Sequence, residues 1–167
     1  MIEEFKFNFN TSKLKKIAKA WAKNPWVKVG ILQGDDKRGD GQSNTEIASY
    51  HEFGTSVKVG KTKRVLIPER SFLRMPIIDD YQNVWDQYAK TPEAKEDFAK
   101  HPKKFLNKMG QIALQVIDDA FANGGSSRTK WASLKPSTLS QKTVNQILVE
   151  TGQLRDSISY EIVDGGA

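Results

Sequence analysis

KKFLNKMGQIALQVIDDAFA, residues 103–122, decides how the rest of the chain is read. Phe105, Leu106, Met109, Ile112, Ala113, Val116, Ile117, Ala120 and Phe121 recur at intervals of three and four. That spacing gathers side chains on one face of an α-helix. Gly124-Gly125 ends the pattern. A long helix with a wide apolar face must bury it against another layer.

Working outward, several segments alternate instead. Phe5, Phe7 and Phe9 alternate with polar residues over 4–9, and Val27, Val29 and Ile31 share one side of 26–32. Val65–Ile67 is a short run stopped by Pro68, and Ile158, Tyr160 and Ile162 alternate with Ser157, Ser159 and Glu161. Period two predicts strands. Further helices are expected at four places. One runs from a Thr11 or Ser12 cap through Leu14, Ile17, Ala18 and Trp21; a second spans 45–53, capped by Asn44 or Thr45. A third follows Pro76 and carries Ile77, Ile78, Tyr81, Val84, Trp85 and Tyr88. A fourth runs from Pro136 to about Gln146, and the polar segment 89–102 is read either as a short helix over 93–100 or as a linker. Gly54 stands where a left-handed helix cap belongs. The pattern predicts an α+β fold, a small, largely antiparallel sheet of about four strands covered by several amphipathic helices.

With 167 residues and 38% hydrophobic content, one domain over 1–167 with one core is expected. The segments 33–44, 55–64 and 124–130 are read as mobile loops. The chain has no Cys, which removes disulfides, thiolate nucleophiles and Cys-based zinc sites. MIEEFKFNFN lacks the basic and apolar regions of a signal peptide, and no apolar run approaches the roughly 20 residues of a membrane span. No membrane association is expected. The net charge of +6 suits nucleic acid or an acidic protein. The lysines are nonetheless spread along the chain, so most are read as solvated surface, including Lys13, Lys15, Lys16, Lys19 and Lys23 of the first helix.

Patterns for chemistry fail in turn. His51-Glu52 is followed by Thr55 where a zinc helix needs a second His. No phosphate-binding glycine loop and no G-x-S-x-G elbow occurs. Asp79-Asp80 and Asp118-Asp119 are adjacent on helices and so point about 100° apart. Asp35, Asp36 and Asp40 lack the spacing of a calcium loop, and Arg38-Gly39-Asp40 is read as a chance tripeptide. No catalytic residue, metal or cofactor is expected.

Two blocks remain. The first holds Glu52-Phe53-Gly54-Thr55, then Ile67-Pro68, Arg70 and Phe72-Leu73-Arg74; the second holds Trp131, Leu134, Thr138, Lys142, Leu148, Thr151-Gly152-Gln153-Leu154 and Ser157-Ile158. Their order and content resemble the EFGT … IPxRPFLR block and the TGxL block of tailed-bacteriophage tail-completion or neck proteins, also called virion-morphogenesis or minor structural proteins. The resemblance spans about residues 27–163. It departs at Ser71, where that pattern has Pro, and in the longer segment 56–64. The resemblance implies a non-enzymatic virion protein at the head–tail junction or tail, assembled in the host cytoplasm. It implies a homo-oligomeric, six-fold ring and partners among the tail terminator or tail tube and the head–tail connector. The interaction residues it suggests are Glu52, Phe53, Gly54, Arg70, Phe72 and Arg74. The basic Lys58, Lys61, Lys63, Arg64 and Arg128 join them, with non-specific DNA contact as a further possibility. The sequence leaves two placements open for Arg70 and Phe72: against a neighbouring subunit, or in the core with Arg70 capping a local carbonyl. A basic DNA-binding accessory protein is the alternative function.

Overall fold

α6, Pro102–Asn123, is the central element of a computed structural model that describes residues 11–32, 41–140, 142, 146–149 and 151–165. Within strands, the side chains of Val59 and Lys63 also lie outside the description. The expected strand over 4–9 and the Arg38-Gly39-Asp40 tripeptide fall outside it too. α6 starts on Pro102, where a missing N–H costs nothing, and ends on Gly124 in the left-handed conformation. Leu106, Ile112, Ala113, Val116, Ile117, Ala120 and Phe121 are buried, as their spacing predicts.

Against α6 lies an antiparallel ladder of β1 (Trp26–Ile31) and β4 (Ile158–Val163), paired from Trp26↔Val163 to Ile31↔Ile158. Val29, Ile31 and Ile158 face the core. On the outer face Lys28 sits opposite Glu161 and pairs with it at 3.1 Å. Gly110 explains a mid-helix glycine that would otherwise be about 1 kcal/mol worse than alanine. The Tyr160 ring of β4 lies over it, and a Cβ there would fall 2.2 Å from the ring. Tyr160 then donates its hydroxyl proton to Asn107, one turn back on α6.

The other side of α6 carries aromatic packing. α1 (Thr11–Ala20) is followed by Trp21, whose Nε1 donates to the Phe98 carbonyl on α5 (Pro92–Lys100). Trp21, Trp85, Tyr88 and Phe98 surround Phe105 with ring centroids 5.2–6.5 Å away, within the range that edge-on and tilted pairs favour. α3 (Arg74–Pro76), a π-helical turn (Ile77–Tyr81) and α4 (Gln82–Ala89) follow one another without a break. Pro76 is tolerated in the first turn, as expected.

The mixed helix-and-strand architecture agrees with the sequence, but the strands do not join one sheet. Among the described residues they form two separate two-stranded ladders. The second is a hairpin of β2 (Thr55–Val59) and β3 (Lys63–Ile67), closed by the turn Gly60-Lys61-Thr62. The reading of 55–64 as a loop is thereby corrected. Val57, Val59, Val65 and Ile67 are β-branched, Val57 and Val59 alternate with Ser56 and Lys58, and Gly60 supplies the positive φ of the turn. Four basic side chains masked that alternation.

Other boundaries move for identifiable reasons. α2 (Asn44–Phe53) is capped by Ser43, not by Asn44 or Thr45. Ser43 Oγ accepts from Glu46 N, and the Glu46 carboxylate accepts from Ser43 N, a capping box spelled S-x-x-E in the sequence. Gly54 has positive φ (66°) but extended ψ (154°), so it starts a strand and does not curl as a left-handed cap. Among the described residues α7 spans Pro136–Leu139, and the rest of the helix expected to about Gln146 lies partly outside the description. Past α7, Lys142 Nζ donates to Val149 O, and Gln146 Nε2 to Phe121 O. A last short helix, α8 (Gln153–Asp156), leads into β4.

The segment 124–130 is a fastened turn. Asp79 accepts from the hydroxyls of Ser126 and Thr129, and Asp80 accepts from Ser127 N. Adjacent carboxylates on one helix thus serve one loop, which sequence spacing alone did not suggest.

Candidate functional site

The two sequence blocks meet in space, and Glu52 is where the first of them closes. Its side chain is 5% exposed at the end of α2. One oxygen accepts from Ser71 Oγ at 2.6 Å and Arg74 N at 3.1 Å; the other accepts from Phe72 N at 2.9 Å and Leu73 N at 3.0 Å. The carboxylate therefore holds three successive backbone N–H groups at the start of α3, where orphan donors and the helix dipole favour negative charge. Ser71 extends the arrangement. Its oxygen accepts from Met75 N while its proton goes to Glu52. Serine at this position adds a helix-capping hydroxyl that proline does not have.

Arg70 joins the first block to the second. It is 7% exposed, and its Nε donates to Ala132 O at 2.9 Å while Nη2 reaches Ser133 O at 3.4 Å. Burial lowers its pKa from the ordinary value, yet a guanidinium stays charged in proteins. Trp131 returns the contact by donating Nε1 to Ser71 O at 3.1 Å. Phe72 is wholly buried, 5.5 Å centroid to centroid from Phe121, which is 5.6 Å from Trp131. Below these residues Ile47, Arg70, Leu134, Thr138, Lys142 and Gly152 line a cavity of about 220 Å³.

Of the two placements open for Arg70 and Phe72, the geometry is that of the core. Both bind this chain's own residues, and Glu52 does the same. Arg70→Ala should then lower stability by about 2–3 kcal/mol, from lost charged hydrogen bonds and buried stem. Lys at this position should not restore it, because one ammonium cannot reproduce the fork. Urea unfolding checks this; an unchanged midpoint would move the role of Arg70 outside the fold.

The remaining candidates are on the surface. Phe53 is 65% exposed, and the Arg74 guanidinium lies 5.7 Å from its ring centroid while also pairing with Glu69 at 2.8 Å. Phe53, Arg74 and Ile78 rim an open, mostly apolar groove of about 480 Å³ floored by Val29, Ile31 and Ala48. Ile78 and the β1 residues of this groove were legible only as members of apolar stripes. Gly54 stands behind the groove, where a Cβ would come within 2.8 Å of Glu69 N. Lys58, Lys61 and Arg64 are exposed on the hairpin, Lys63 lies in β3, and Arg128 is exposed on the fastened turn. The structure thus separates the set into a buried lock and three exposed regions: the groove rim, the hairpin and the 124–130 turn.

Among the described residues no group of three or more His, Asp or Glu is placed to hold a metal ion. No helix among them is long and apolar enough to cross a membrane. Compared with known proteins, the chain matches no family model, no curated protein and no solved structure.

Proposed function

We propose that the protein is a non-enzymatic structural subunit of a tailed-phage virion that acts in tail completion or head–tail joining. It docks in several copies, as a six-fold ring, at the neck end of the tail. The observation that carries this reading is the closure of the two resembling blocks on each other. Glu52 holds residues 71–74, Arg70 reaches Ala132 and Ser133, and Trp131 reaches Ser71. Residues scattered over the sequence that resemble one family thereby form one rigid unit.

That unit stiffens the surfaces beside it. A preorganised surface loses less conformational freedom on docking. The groove rimmed by Phe53, Arg74 and Ile78 combines an aromatic anchor, an arginine and an apolar floor, the composition that dominates protein interfaces. Its partners are the connector on one side and the tail tube or terminator on the other. The test is deletion of the encoding gene from the parent phage. Unjoined heads and tails should accumulate, and the protein supplied separately should restore joining. Normal yields of infectious tailed particles without it would end the proposal. The alternative, a basic DNA-binding accessory protein, draws on the cations of the hairpin. Purified particles separate the two, because an accessory protein would be missing from them.

A further inference from the structure

We infer that the β2–β3 hairpin is a DNA-contacting arm, which inserts as a two-stranded ribbon against the phosphate backbone of duplex DNA. This does not depend on the virion reading. It rests on three features of the hairpin itself.

The first is its isolation. β2 and β3 pack on each other and have no extensive contact with another helix or strand among the described residues. A ribbon of five residues a strand is about 17 Å long, and the major groove of B-DNA admits a two-stranded ribbon.

The second is its charge. Residues 54–68, GTSVKVGKTKRVLIP, contain four cations and no carboxylate. The register sets Lys58 directly opposite Arg64, with Ser56 opposite Leu66, and all four side chains are exposed on one face. Like charges directly across a ladder repel. Among the described residues neither has an acidic partner, whereas Lys23, Lys28, Arg74, Lys100 and Arg155 each do. Lys61 adds a third exposed cation at the turn. An anion lying along this face removes the repulsion.

The third is what the face lacks. Leu66 is the only large apolar side chain on it, and no aromatic accompanies it. Protein docking sites centre on aromatic and apolar anchors, whereas phosphate backbones are met by cations and hydroxyls. Duplex DNA therefore fits better than an acidic protein surface.

The experiment is fluorescence anisotropy of the full chain with a labelled duplex of arbitrary sequence at 50 and 200 mM salt. Three phosphate contacts predict a fall in affinity of about 40-fold between those concentrations. The variant K58A/K61A/R64A should bind at least tenfold more weakly at 50 mM salt and lose about 3 from the log–log salt slope. Its circular dichroism and melting midpoint should match the wild type, since the altered side chains are exposed. No wild-type binding at 50 mM salt would overturn the inference, as would a variant that binds like the wild type. Tighter binding, charge for charge, to polyglutamate than to the duplex would overturn it in favour of an acidic protein.

Discussion

Glu52→Ala should lower the unfolding free energy by about 3–5 kcal/mol, with little change in the denaturant slope. The magnitude follows from the number of groups left behind. The carboxylate accepts four hydrogen bonds, from one hydroxyl and three successive backbone N–H groups. Phe72 and Ser71 are buried, so water does not readily replace it there. Each buried donor without a partner costs about 1–3 kcal/mol. Glu52→Gln keeps the volume and one acceptor oxygen, but turns an amide nitrogen toward donors, so it should recover only part of the loss. Glu52→Asp is shorter by one methylene and should do no better. Urea unfolding followed by tryptophan fluorescence measures all three. An alanine variant within about 0.5 kcal/mol of wild type would mean that the first block does not depend on this carboxylate.

Phe72→Ala should cost a similar amount, about 3–5 kcal/mol, by loss of transfer energy and by the cavity left behind. Phe72 is 0% exposed and packs on Phe121, which also packs edge-on with Trp131. The cavity would open between the two blocks, so Trp131 fluorescence should change even in the folded variant. For a domain stable by about 5–15 kcal/mol, either substitution removes a large share of the margin. Phe53→Ala is the contrasting variant. Its side chain is mostly in solvent, so stability should stay within about 0.5 kcal/mol, while under the proposed function docking to virion partners should weaken. A Phe72 variant of unchanged stability would return that residue to the list of interface candidates.

Much of the fold was legible because its signals are local. The apolar spacing of 103–122 reports a buried face directly, and Leu106 through Phe121 lie on it. Strands β1 and β4 announced themselves by alternation, and Pro68 ended β3 where the missing N–H required. In 55–64 the alternation of Val57 and Val59 is short and shares its ten residues with four cations, so the segment has the composition of a loop. The S-x-x-E capping box at Ser43–Glu46 is likewise a local signal.

The candidate site was less legible, since its members act over long separations. Glu52 and Phe72 lie 20 positions apart, and Arg70 and Ala132 lie 62 apart. A charged residue in a glycine- and proline-bounded block has the same sequence appearance whether it meets a neighbour or its own backbone. Asp79 and Asp80 illustrate the same limit, because their partners at Ser126, Ser127 and Thr129 are supplied from the far end of α6.

What the sequence determined alone is most of the longer helices and the strands β1, β3 and β4, through periodicity, capping and turn chemistry that act within a few residues. What only the tertiary structure decided is which polar residues of the first block are buried, and that the strands form two ladders. Burial and strand pairing are set by contacts between segments remote in sequence. The desolvation of Glu52 and Arg70 is offset only where backbone N–H and carbonyl groups from those segments arrive to meet them.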